Sequence, residues 1–309
     1  MSRPADAAEI ARRLVDLGAV FDLDRVARAP TDPRAVQRYY RASRLAYSHF
    51  HDRGNSLHMG LSDSERFEPA DMLAQPRFVE TQWREDTRQV LELAMGRGMN
   101  ALWLADRHPQ IVFHGIELSP AQFRYARRGA RTRPNVRPRL GDFHDLSAYD
   151  AKSMDAVFVV DALCYSTEKS RVLAEAHRVL RPGAPMIVFD GYRGRLPGDC
   201  TAEEDRAALL LARGMAVPEF EPYARFRDTC RQSPFALVAE GEYSDRILPT
   251  LRRFERLARR FLRRPRRARL LAHVLPDALV DNAVSGYLFP LLLETRVVSY
   301  WMTLLRKTD

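Results

Sequence analysis

Four acidic residues and a glycine pair are the groups in this chain best suited to hold a nucleoside: Glu92, Glu117, Asp142 and Asp161, with Gly96 and Gly98. Each acid lies within or just after an expected short strand, in VLELAMGRG, GIELSP, LGDFHDL and FVVDALCY. A carboxylate at Glu117 can accept both hydroxyls of a ribose. Asp142 can accept from an adenine amino group, and Phe143 offers a ring to pack on the base. Gly96 and Gly98 let a ligand approach the backbone where a Cβ would collide, and helix-end N–H groups beyond them supply donors. Asp161 is the candidate polar group beside a second reactant, although an acid at a strand end also caps helices.

The elements that must position these groups follow from the apolar pattern. Val90, Leu91 and Leu93 read as a buried strand, the glycines break it, and Ala101, Leu102, Leu104 and Ala105 restart at helical spacing. Strands are expected at Val90–Leu93, Ile111–Ile116, Val136–Leu140, Ala156–Val160 and Met186–Asp190, with later ones at Phe235–Tyr243 and Val297–Leu305. Helices are expected between the first five, at Met99–Arg107, Pro120–Ala130, Leu146–Tyr149 and Lys169–Leu180. This alternation predicts an α/β fold: a Rossmann-like, mainly parallel, seven-stranded sheet with the acids at strand C-terminal ends, where open sheets bind ligands. Upstream, residues 1–29, Gln37–Phe50 and Pro69–Gln89 read as helices, with Pro30 and Pro33 closing the first part. The expected organisation is an N-terminal helical cap over 1–84 and the sheet domain over 85–309, with a helical insertion at about 247–294.

Composition narrows the function. Hydrophobic residues are 46% and charged residues 29% of the 309, which fits a globular protein without a membrane span. The N-terminus has no apolar signal core, so a cytoplasmic location is expected. Cys164, Cys200 and Cys230 lack metal-type spacing, and His49 and His51 would not share a helix face, so no metal is expected. Leu251–Arg269 holds ten arginines against one acid, Glu255, so this segment alone accounts for the net charge of +9. A specific nucleic-acid partner would spread basic charge over a face of the fold. Here Leu251, Phe254, Leu257, Phe261 and Leu262 form an apolar stripe with the arginines largely on the other faces. That pattern fits a solvated lid, or an interfacial helix making peripheral contact with anionic lipid.

Gly96-Arg97-Gly98-Met99-Asn100-Ala101 also satisfies G-x-G-x-x-A, the pattern of nicotinamide-dependent oxidoreductases, with Glu117 near the expected acidic distance. That alternative leaves Glu92 and the Gly-Asp-Phe at 141–143 unexplained, and both favour a mononucleoside ligand.

The segments VLELAMGRG, GIELSPAQFRYA, LGDFHDL, DAVFVVDALCY and EAHRVLRPG together resemble the class I S-adenosylmethionine-dependent methyltransferases over roughly Val90 to Asp190. The resemblance implies S-adenosylmethionine as cofactor, Glu117 and Leu118 at its ribose, Asp142 and Phe143 at adenine, and the Glu92–Gly98 loop around its methionine part. It departs from the family at Ala94, where the first glycine is expected.

YYRASRLAYSHFHDRGNSLHMGL more loosely resembles the aromatic N-terminal segment of sterol and related small-molecule C-methyltransferases, without their acidic residues. His49, His51 and Asp52 occupy that region instead. The resemblance implies that Tyr39 and a Ser-x-His element, Ser56 to His58, lie over the cofactor. The same aromatics at helical spacing also fit simple core packing. The implied activity is methyl transfer to a small lipophilic acceptor such as a terpenoid, sterol or quinone, at carbon or oxygen. Tyr39 and Tyr47 are candidates to stabilise a cation, and His58, Asp161 and Tyr165 to take a proton. A non-catalytic protein that keeps the fold to bind a membrane or partner is the remaining alternative.

Overall fold

The computed structural model describes residues 4–42 and 56–308. Its centre is a seven-stranded sheet: β1 (Gln89–Leu93), β2 (Val112–Glu117), β3 (Val136–Leu140), β4 (Ala156–Val160), β5 (Pro185–Arg193), β6 (Phe235–Glu242) and β7 (Val298–Lys307). The spatial order is β3-β2-β1-β4-β5-β7-β6. β1 to β5 pair in parallel, and β7 runs antiparallel between β5 and β6. AVFVV of β4 is buried at every position, as a central strand covered on both faces requires. The crossovers are α-helices: Met99–Arg107 (here α5), Pro120–Gly129 (α6) and Lys169–Val179 (α7). Because β2 and β4 flank β1, the chain leaves β1 and β4 in opposite directions, and the crevice opens at their C-terminal ends.

Between β3 and β4 the expected helix at Leu146–Tyr149 is absent, and turns replace it. Leu146 and Tyr149 are buried, so their spacing imitates a helix face. Their backbone is instead held by side chains of α7: Leu146 N–H donates to Glu175, and Arg178 donates to the Tyr149 carbonyl.

Eight of the remaining helical segments build the cover and flanks: α1 (Pro4–Gly18), α2 (Leu23–Ala27), α3 (Pro33–Ala42), α8 (Ala202–Gly214), α9 (Tyr223–Gln232), α10 (Ser244–Leu262), α11 (Pro265–Val274) and α12 (Asp277–Glu294). Pro33 opens α3 instead of ending the preceding part. Asp32 caps it by accepting from the Arg34 and Ala35 N–H groups, and proline suits the first helical turn. The rest of the expected Gln37–Phe50 helix lies outside the described residues. Pro69–Gln89 is not one helix: a 3-10 turn, Pro69–Leu73, leads into α4 (Ala74–Glu80), and a loop follows before β1. Leu251–Leu275 also divides, because Pro265 cannot donate within a helix interior and instead starts α11. α8 and α9 had no counterpart among the expected elements. No helix among the described residues is long and apolar enough to cross a membrane.

The N-terminal helices and the late insertion form one packed layer. α1 and α2 rest on α8, α1 also touches α12, and α10 lies along α12. Their apolar faces share a core that continues into the sheet, from Ile10 and Leu17 through Leu288 and Leu292 to Phe158. An ion cluster locks the layer. Arg13 meets Glu255 at 2.6 Å with both side chains 4% exposed, and Arg13 Nη1 also donates to the Tyr287 carbonyl. Arg252 and Arg259 bond the same Glu255. Removing one partner leaves a buried charge uncompensated, so Glu255→Ala should cost about 3 kcal/mol or more in a denaturant titration. A loss below about 1 kcal/mol, the range of exposed ion pairs, would show that this cluster does not hold the cap.

Candidate functional site

A groove opens where β1 and β4 diverge. Glu92, Ala94 and Gly96 line it from β1 and its turn, Glu117 and Leu118 from β2, and Asp142 and Phe143 from β3. Asp161 and Tyr165 line it from β4 and the short turn after it, and His58 from the segment before α4. The structure therefore gathers ten of the expected site residues around one cavity. Gly98 takes no part in the lining; it sits at φ 85° as the cap residue of α5. Tyr47 lies outside the described residues.

Two acids form the floor. Glu92 is buried and reaches the N-terminus of α5, where Asn100 Nδ2 donates to it at 2.8 Å and the Ala101 N–H at 3.2 Å. Burial pushes its carboxyl up to about 8, against the effect of those two bonds. Glu117 accepts the Gly96 N–H at 2.8 Å and the Ser119 N–H at 2.7 Å, which ties the glycine turn to the end of β2. Burial likewise pushes Glu117 up to about 7. The turn itself is tight. Gly96 has φ 56°, and a Cβ there would stand 2.9 Å from Leu57. Ala94 adopts φ 52°, a conformation that favours glycine and strains an alanine.

At the β3 end, Asp142 Oδ1 accepts the His144 N–H at 2.9 Å and faces His144 Nδ1 at 2.6 Å. His144 Nε2 meets Ser166 Oγ at 2.7 Å. A carboxylate only accepts, so Nδ1 carries the proton, and in the neutral ring Nε2 accepts from the Ser166 hydroxyl. His144 was missed in the sequence; its only signal is the position two residues after Asp142, typical of a local side-chain turn.

Asp161 closes the β4 end. It too has positive φ, 51°, and its half-buried carboxylate accepts Tyr300 O–H at 2.5 Å and the Met59 N–H at 2.7 Å. Burial, then the nearby Asp190 charge, pushes it up to about 7. Tyr165 and Tyr40 meet hydroxyl to hydroxyl at 3.1 Å.

Two expected roles change. Tyr39 does not line the groove. Successive helix residues point about 100° apart, so α3 turns Tyr40 to the groove and Tyr39 away, where its hydroxyl lies 3.3 Å from Asn282 Oδ1. His58 lines the groove but is not placed as a base. Its Nε2 lies 2.9 Å from the Met72 carbonyl, which only accepts, so Nε2 is the protonated nitrogen. Nδ1 then accepts from Ser56 Oγ at 3.2 Å.

Two buried polar atoms on groove residues have no partner among the described residues, Asn100 Oδ1 and Gln122 Nε2. Orphaned polar groups of this kind require a ligand or water. With two carboxylates, a glycine turn and the Phe143 ring, the donor set fits a cationic nucleoside.

A second cavity of about 320 Å³ lies beyond the groove, between α10 and α12. Its wall is mostly apolar and includes Tyr39, Met59, Phe254, Phe261 and Phe289. Tyr39 and Met59 are chain neighbours of Tyr40 and His58 in the groove, so the two spaces adjoin along these segments.

Residues 90–183 match a family model described as a methyltransferase domain. The trans-aconitate 2-methyltransferase of Deinococcus radiodurans is 35% identical over 32% of this chain and 36% of its own length. A sterol 24-C-methyltransferase of Kluyveromyces lactis is 23% identical over 34% of this chain and 28% of its own. The matched region thus spans about a third of the length of these relatives. Among solved structures, the (4+2)-cyclase SpnF superposes with TM-score 0.71 at 20% identity, covering 91% of this chain and 97% of that one. The geranyl diphosphate C-methyltransferase of Streptomyces coelicolor gives 0.62 at 14% identity, covering 91% and 100%. These structures show the fold, the class I methyltransferase sheet. The strand order with antiparallel β7 also departs from the 3-2-1-4-5-6 order of dinucleotide-binding sheets, which removes the support for the nicotinamide alternative.

Three outcomes test the groove. Glu117→Ala should weaken adenosylhomocysteine binding by about tenfold or more, because it deletes acceptors for two hydroxyls. Calorimetry on a folded variant with unchanged affinity would remove Glu117 from the site. In the wild type, affinity should rise between pH 6 and 8, since Glu117 loses its proton near 7 and the carboxylate is the accepting form; a flat profile contradicts this. Ala94→Gly should raise stability by about 1 kcal/mol through relief of the positive φ, read from the denaturation midpoint, and a fall would contradict the strain.

Proposed function

We propose that the protein, whose residues 90–183 match a methyltransferase domain, uses S-adenosylmethionine to transfer a methyl group to a small lipophilic acceptor of terpenoid, sterol or quinone type. The observation that carries this reading is the apolar cavity of about 320 Å³ beside the groove. Small-molecule sites have this character, apolar walls with a few placed polar groups. Here those are Asn282 and Ser285, with the Tyr39 hydroxyl. A peptide or nucleic acid would need an open polar channel instead.

When bound, S-adenosylmethionine supplies a methyl group on a sulfonium, open to in-line displacement. The chain's own work is alignment and exclusion of water. Glu117 takes the ribose hydroxyls, and Asp142, held by His144, which Ser166 holds in turn, takes the adenine amino group. Positive charge beside Glu92 and Glu117 favours their ionised forms, which burial alone opposes. Asp161 holds Met59 and the adjoining wall of the cavity against the groove. It is also the group to hold a proton released by the acceptor: burial places its carboxyl near neutrality, where it binds and releases protons. Tyr40 and Tyr165 add aromatic faces that would steady positive charge on an alkene acceptor.

Turnover with radiolabelled S-adenosylmethionine across terpenoid, sterol and quinone-like acceptors tests the class, with peptides and nucleic acids as controls. Methylation of a macromolecule alone would overturn it. Gly286 lies on the cavity wall, and a Cβ there meets only ordinary contacts, 3.5 Å from Phe254. Gly286→Leu should therefore fill the cavity, raise KM or abolish turnover, and leave adenosylhomocysteine affinity within about twofold.

A further inference from the structure

The arginines of Leu251–Arg269 are not equivalent. Arg252 pairs with Glu255 and Glu294, and Arg259 pairs with Glu255. Arg253 lies over the Phe67 ring at 3.9 Å, and Arg269 donates to the Ala19 carbonyl. These four hold the cap together. Arg256, Arg260 and Arg263, at the end of α10, and Arg264, Arg266 and Arg267, at the start of α11, are exposed and form no ion pair among the described residues.

α11 carries a second feature that solvent does not explain. Ala268 is 1% exposed and marks the face turned to the protein. On the opposite face, Leu270 is 68% and Val274 76% exposed, the latter the most exposed large apolar side chain among the described residues. At 100° per residue, Arg266, Arg267, Leu270, His273 and Val274 fall within one arc of about 120°. The outward face of α11 is therefore cationic at its N-terminal end and apolar at its C-terminal end. A helix that merely faced water would not place two bulky apolar groups one turn apart on its outer face.

α11 also sits at the end of the apolar cavity. Phe261, a few residues before it, and Leu275, immediately after it, both line that cavity. We infer that the outward face of α11, with the end of α10, is a docking surface for an anionic lipid bilayer. Leu270 and Val274 enter the acyl boundary, and the six unpaired arginines meet the phosphates. The charge of the face complements that surface, and its apolar pair gives it a reason to prefer lipid over a polyanion that offers phosphate alone. This docking does not depend on the identity of the acceptor; a lipophilic acceptor dissolved in the bilayer would find the cavity beside the contact.

Sedimentation of the full chain with vesicles tests the inference. At low salt it should pellet with vesicles containing phosphatidylglycerol, pellet much less with pure phosphatidylcholine, and be released by salt within the range that screens surface charge. Leu270→Ser with Val274→Ser should reduce partitioning by about tenfold at unchanged charge, and Arg266→Gln with Arg267→Gln by a similar factor. Both pairs are exposed, so adenosylhomocysteine affinity should stay at the wild-type value and certify the fold. Failure of the wild type to pellet with anionic vesicles would overturn the inference. So would pelleting that the serine pair leaves unchanged, and binding of a DNA or RNA oligonucleotide lost only in the arginine variant would assign the face to nucleic acid instead.

Discussion

The half-buried carboxylate of Asp161 is the joint on which the site depends. It stands at the C-terminal end of β4 in a left-handed conformation, and it accepts one bond from β7 and one from the segment before α4. Without those two donors, a carboxylate in this position would face only burial and the Asp190 charge, both of which oppose ionisation. With them, the segment carrying His58 and Met59 is tied to the sheet. That segment contributes to both spaces, His58 to the nucleoside groove and Met59 to the apolar cavity. Backbone strain and a perturbed acid thus occur at the same residue, which is where a functional joint is expected.

Charge in the cap follows a related division. Buried Glu255 draws in Arg13, Arg252 and Arg259, and these contacts join the first helix of the chain to its late insertion. Only after those arginines are committed does the remaining charge separate out as a surface. The basic pI describes two populations of arginine, one that assembles the cap and one left outside it. Helices of the same layer line the apolar cavity, so the elements that stabilise the fold also shape the space offered to the acceptor.

The sheet was legible because its signals are local. Runs such as AVFVV, the glycine turn after Glu92 and the acids at successive strand ends are short patterns set by neighbours in the chain. Segments whose conformation rests on distant partners were misread. Leu146–Tyr149 has helical spacing, but its backbone bonds go to Glu175 and Arg178. The split at Pro265 is the exception: proline is a local signal, but the helical periodicity on either side of it masked the break. Tyr39 and Tyr40 are interchangeable in sequence and face different cavities.

By itself the sequence determined the alternation of strands and helices, the carboxylates at strand ends and the concentration of arginine in one segment, since each is written in residue type and spacing. Tertiary structure alone decided which groups meet. Tyr300 reaches Asp161 across 139 positions, and Arg13 reaches Glu255 from the opposite end of the chain. His58 Nε2 reaches the Met72 carbonyl, fourteen residues away in the chain. Such pairings depend on how layers stack, and no local pattern encodes them: a buried charge or ring nitrogen takes whichever complementary group the packing brings within hydrogen-bonding distance.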